Sequence, residues 1–139
     1  MQDFIDNIGY KLNYSALLLN RVLDKEVNKV SSLSGLHFML LYALKNNEYM
    51  TILEVQAKFG ITDIELDSFL SPLISQALIN RVSSENLIIT EIGSVTINNL
   101  WYIVENAELK ISEALSEKEK QDLDDLLNKI QNVCSKLLS

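Results

Sequence analysis

Apolar residues recur at helical spacing over most of the chain, and the period changes in one stretch only. From about residue 3 to residue 30, Phe4, Ile8, Leu12, Leu19 and Val22 fall near one face, which predicts an amphipathic helix. Leu17, Leu18 and Leu23 widen that stripe beyond what a surface helix needs. A second helix is predicted from Ser34, carrying Leu36, Phe38, Leu40, Leu41 and Leu44 before Asn46-Asn47 ends it. A short helix over 52–58 closes at Gly60, a residue suited to the left-handed C-terminal turn. Thr62 opens another, running to about residue 77. Past Leu78 the pattern turns β-prone over 79–82 and 87–90, and Ser83-Ser84-Glu85-Asn86 between them predicts a tight hairpin. Helical spacing returns from Glu91 to about Ile111, through Val95, Leu100, Trp101 and Val104. A last helix follows Ser116, with Leu123, Leu127, Ile130, Cys134 and Leu137 as its apolar stripe.

Three helix starts share one chemistry. In Thr51…Glu54, Thr62…Glu65 and Ser116…Glu119, a hydroxyl can accept from the N–H three residues on while the glutamate reaches back. The resulting order is long helix, helix, short helix, helix, hairpin, long helix, long helix. A helix-turn-helix followed by a hairpin is a winged-helix arrangement. The expected fold is therefore mainly α: a winged helix-turn-helix module over 33–93 with a small β-hairpin wing, flanked by long dimerisation helices over 1–32 and 94–139, in a single domain. The terminal helices are too apolar for so small a module to cover. Phe4, Ile8, Leu12, Leu127, Ile130 and Leu137 are the expected interface of a two-fold homodimer.

Composition narrows the function by exclusion. One Pro and four Gly in 139 residues leave long helices few obstacles. The apolar runs stop well short of a membrane span, and Met1-Gln2-Asp3-Phe4 has no basic leader region. A cytoplasmic chain without membrane contact is expected. Cys134 is the lone cysteine and His37 the lone histidine, so neither a disulfide nor a recognisable metal site is expected. No cofactor is implied. Cys134 reads as a buried, inert thiol, and His37, flanked by apolar residues, as a hydrogen-bonded packing residue. No nucleophile–base pair, Gly-rich phosphate loop or carboxylate constellation suggests an enzyme.

Several segments resemble the MarR family of bacterial winged-helix regulators. Leu33-Ser34-Gly35-Leu36-His37-Phe38 is similar to the opening of that family's second helix, with His37 where a Gln usually stands. Gly60-Ile61-Thr62, Leu70, Leu73, Ala77-Leu78-Ile79 and Arg81 resemble its recognition helix and exit, with Ala77 in place of Gly. Ile89-Thr90-Glu91-Ile92-Gly93 resembles the passage from wing to long helix, and Ala114-Leu115-Ser116-Glu117-Lys118-Glu119 with Leu123, Leu126 and Leu127 the start of the last helix. The resemblance implies a DNA-binding transcription regulator acting as a homodimer and responsive to a small effector. It also implies a pocket for a small aromatic ligand, for which Tyr10, Tyr14, Tyr42 and Trp101 are the candidates, with Tyr102 nearby in sequence.

Charge cuts across that expectation. The chain carries a net −7, and the module from Leu33 to Gly93 holds three Lys/Arg against seven Asp/Glu, a net of −4. Affinity for duplex DNA comes mostly from Lys and Arg on phosphate. The candidate DNA-facing residues are Lys58, Thr62, Asp63, Glu65, Asp67, Ser68, Ser71, Arg81, Ser83, Ser84 and Asn86. The wing lacks the Asp-Arg pair common at the family's longer wing tip. Pro72 removes one bond from the recognition helix, so either a kink or a fresh start capped by Ser71 is expected. The alternative function is a member that has lost operator binding and works by protein contact, as an antirepressor or as heterodimer partner of a basic protein.

Overall fold

The capping hydroxyls fall where helices start. The computed structural model describes residues 6–139, in which the elements run α1 (Ile8–Val27), α2 (Gly35–Lys45), β1 (Met50–Thr51), α3 (Ile52–Phe59), α4 (Asp63–Ser75), β2 (Ile79–Arg81), β3 (Asn86–Ile89), α5 (Glu91–Glu113) and α6 (Glu117–Leu138). Phe4 lies outside the described residues. At Thr62 and Ser116 the capping boxes close in both directions. At Thr51 only half forms: the hydroxyl accepts from Glu54 N–H. A further box that the pattern did not predict closes at Ser34, with the His37 ring in the glutamate's place. Thr62→Ala should cost about 1 kcal/mol of stability, read as a lower denaturant midpoint, because it strands a first-turn N–H.

Two compact units divide the chain, one reaching to Val104 and one starting at Glu105, so that α5 runs through the boundary. The first has a continuous apolar core in which Leu33, Leu40, Leu41, Leu44, Val55, Leu70, Leu73, Ile79, Leu87 and Ile97 are almost wholly enclosed. Its sheet has the order β1-β3-β2, antiparallel throughout. The strand β1 is the one element absent from the hydrophobic pattern. Two residues are too few to show alternation, and only pairing of Met50 with Leu87 and Thr51 with Asn86 defines it. That pairing corrects the wing: Asn86 is half-buried at the start of β3, its carbonyl accepting from Val82 N–H at 3.0 Å, rather than standing at a free tip.

The helix α4 is unbroken, with Pro72 inside it, so the fresh start at Ser71 does not occur. Just past it, Ala77 takes a positive φ of 59°. This is the left-handed region that costs an L-residue with a Cβ about 1 kcal/mol or more. Ala77→Gly should therefore raise stability by about 1 kcal/mol, checked by chemical denaturation. The chain then turns into the sheet, and Thr90 ties the return. Its hydroxyl donates to Ala77 C=O at 2.6 Å and accepts from Gly93 N–H at 2.9 Å, capping α5.

In the second unit, α6 has no fully buried residue. Leu127 and Ile130 are half-buried, while Leu123, Cys134 and Leu137 are exposed. The expectation of a buried Cys134 thiol is thus corrected: the stripe exists, but the chain alone does not cover it. No helix among the described residues is long and apolar enough to cross a membrane.

Candidate nucleic-acid interface

The outward side of α4 and the β2–β3 turn gather most of the residues expected to face DNA. Several of their side chains are engaged by neighbouring groups. Thr62 and Glu65, both exposed, bond to each other in the cap: Glu65 Oε1 accepts from Thr62 Oγ at 2.7 Å and from its N–H at 3.2 Å. Those bonds hold the Glu65 carboxyl below its ordinary pKa, the hydroxyl bond contributing most. Asp63 accepts from Gln56 Nε2 at 2.7 Å, which ties α4 to α3. Ser68 Oγ donates back to the Glu65 carbonyl. Carboxylates in the first turn also suit the positive end of the helix dipole, so Asp63 and Glu65 have a local structural cause.

The cations are few and mostly occupied. Arg81 approaches Asp67 at 3.9 Å and the Ser84 carbonyl at 3.4 Å. An exposed pair of this length is weak, yet it sets a negative charge beside the only basic residue of the hairpin. Lys45 bonds the Asn98 side chain on α5. Lys58, in the last turn of α3, makes no ion pair among the described residues and borders a shallow recess with Asn47, Met50, Glu54 and Ala57. Ser71, Ser83 and Ser84 are exposed, and Ser83 Oγ accepts from Glu85 N–H.

One exposed feature escaped the sequence pattern. Ile64 stands 94% exposed on α4, between Asp63 and Glu65. It is out of phase with the buried Leu66, Leu70 and Leu73, and that phase was the available signal.

The aromatic candidates separate into two groups. Tyr42 and Trp101 stack at 5.8 Å and both stack on Phe38, at 6.3 and 6.4 Å. Phe38 is buried, so it forms the floor of a half-exposed aromatic shelf. Lys45 and Asn98 lie one turn along from Tyr42 and Trp101 respectively. Tyr10 and Tyr14 stack on each other at 6.3 Å, one turn apart on α1. Among the expected interface residues, Ile8 is exposed and Leu12 half-buried.

His37 has the packing role expected of it. Its Nδ1 accepts from Ser34 N–H at 3.1 Å, and its Nε2 donates to the Phe69 carbonyl at 2.8 Å. The ring lies on the Phe69 ring at 4.7 Å. Burial pushes its pKa below the ordinary value, against the Phe69 bond and the Asp24 carboxylate, which both favour the charged form.

Solved structures share this arrangement over nearly their whole length. A mutant of E. coli MarR complexed with operator DNA superposes with a TM-score of 0.76, covering 93% of this chain and 99% of that one at 16% identity. BpsR of Bordetella bronchiseptica, whose DNA binding is regulated by 6-hydroxynicotinic acid, gives 0.78 over 95% and 98% at 16% identity. The transcriptional repressor CouR, bound to p-coumaroyl-CoA, gives 0.77 over 94% and 96% at 23% identity. This is the MarR fold. No protein-family description matches the sequence, and no curated protein sequence does. Within the MarR fold, α3 and α4 are the helix-turn-helix and β2–β3 the wing, whose turn is Ser83-Ser84-Glu85 flanked by Val82.

Proposed function

We propose that the chain is a transcription regulator of the MarR family that binds duplex DNA as a homodimer with weak electrostatics. The observation that carries this reading is the fold itself, shared along nearly the full length of both chains with a regulator solved on operator DNA. A homodimer is supported by the bare apolar side chains of the terminal helices. Ile8, Leu17 and Leu19 on α1 and Leu126, Val133 and Leu137 on α6 are all exposed in the single chain. Burying such side chains contributes about 1.5–3 kcal/mol each before entropy costs. The shelf of Tyr42 and Trp101 beside Lys45 suits a small aromatic acid as effector, with the ring stacked and the acid group near the ammonium.

A second reading rests on α4. Its exposed Asp63, Ile64 and Asp67 would repel phosphate but suit a basic protein surface, and Arg81 is engaged by Asp67. Under that reading the protein acts on a basic partner instead of an operator. Selection of duplexes from a random library at about 50 mM salt separates the two. Enrichment of a palindrome supports the operator reading. Recovery of no duplex rejects it and leaves protein contact.

A further inference from the structure

We propose that His37 is a protonation-sensitive clasp joining the capped start of α2 to the recognition helix α4. The proposal goes beyond the DNA-binding reading and does not depend on it. A backbone N–H can only donate and a carbonyl can only accept, so the two bonds of the ring fix its proton. Ser34 N–H points at Nδ1, which must be bare, and Nε2 carries the hydrogen given to Phe69 C=O. One proton satisfies both ends. A second would place N–H against N–H across 3.1 Å.

Relief requires the ring to turn. Ser34 Oγ lies 3.1 Å from Nδ1 but already accepts from His37 N–H. Asp24, the charged group that faces the ring from α1, already takes Gly35 N–H at 2.5 Å. From α4 the ring meets the carbonyl and the ring of Phe69. Turning toward Ser34 or Asp24 pulls Nε2 from that carbonyl and breaks the stack. The same turn of α4 is already short of one internal bond, because Pro72 has no N–H to give Ser68. Beside the burial of Leu70 and Leu73, a neutral His37 thus adds a polar tie to the second half of α4 from outside the helix.

The folded pKa lies below the ordinary 6.5. The clasp is thus fully present above that value and is lost as pH falls through the lowered one. Amide hydrogen exchange of Leu70, Leu73 and Ser75 in the full chain, corrected for intrinsic rates, tests this at about pH 7.5 and about pH 5. Wild-type protection at these amides should fall about tenfold with acid relative to the α2 core. His37→Gln keeps an acceptor for Ser34 and a donor for Phe69, so its protection should be high and unchanged with pH. His37→Ala should be low at both. Equal acid loss in wild type and His37→Gln overturns the proposal, as does a flat wild type. Should His37→Gln not fold, the ring ¹⁵N shifts of the wild type decide: a proton on Nδ1 at neutral pH overturns it, and one on Nε2 that gives way to the doubly protonated ring as exchange rises supports it.

Discussion

Replacing Gly93 with alanine should destabilise the protein by about 3 kcal/mol, lowering its melting temperature by about 10 °C. A Cβ at that position would lie 2.1 Å from the Leu78 carbonyl oxygen and 2.8 Å from an Ile89 side-chain carbon. The carbonyl is not a flexible neighbour. It accepts from Thr90 N–H at 3.0 Å and from Thr90 Oγ at 3.1 Å, the bonds that set the start of α5 against the entry to the sheet. Any shift that makes room must loosen those bonds and Thr90's cap on Gly93 N–H. Gly93→Val should be worse, because it adds two methyls to the same clash. An alanine variant that melts with the wild type would show that α5 does not approach Leu78 so closely.

The double substitution Leu126→Asp with Val133→Asp should turn a dimer into monomer and lower the melting temperature with it. Both side chains are more than half exposed in the single chain, at 54% and 56%. They are seven residues apart, so they lie along one edge of α6 with Leu137 close by. In a solitary chain, aspartate there would cost little. In a dimer it would place carboxylates in an apolar seam, where a charge without a partner is expensive. Because association and stability are linked by mass action, both readouts should move together. Sedimentation equilibrium on wild type and variant checks the first and thermal denaturation the second. A wild type that is monomeric at micromolar concentration contradicts the dimer.

Most of the winged helix was legible because its signals are local. Thr62 with Glu65 and Ser116 with Glu119 mark helix starts through hydrogen bonds that span three residues. The hairpin announced itself by a change of period. What escaped depends on partners distant in sequence. Met50-Thr51 becomes a strand only by pairing with Asn86-Leu87, and so Asn86 leaves the wing tip. Ala77 replaces a glycine in the resemblance, yet the backbone keeps the left-handed turn, since the Thr90 bonds to Ala77 and Leu78 hold it there. The candidate DNA surface was legible as a list of residues but not as a network. Residue order reports the sign of the charge on α4; it does not report that Asp67 meets Arg81 or that Asn98 takes Lys45. The aromatic group split for the same reason, Tyr42 and Trp101 meeting across helices while Tyr10 and Tyr14 meet along one.

The salt dependence of duplex binding is the most direct test of a winged helix with a depleted charge. Lys45, Lys58 and Arg81 are the only cations of the module, and about two per protomer can reach phosphate. A dimer then makes about four backbone contacts, so log K should fall with log salt at a slope near −3.6, about −0.9 per contact. Asp63→Arg with Asp67→Arg should steepen that slope and tighten non-specific binding, the second change also releasing Arg81. A shallow slope near −3.6 for the wild type on its selected site is the predicted result. A slope near −8 with tight binding contradicts it, because it requires about nine phosphate contacts that these residues cannot supply.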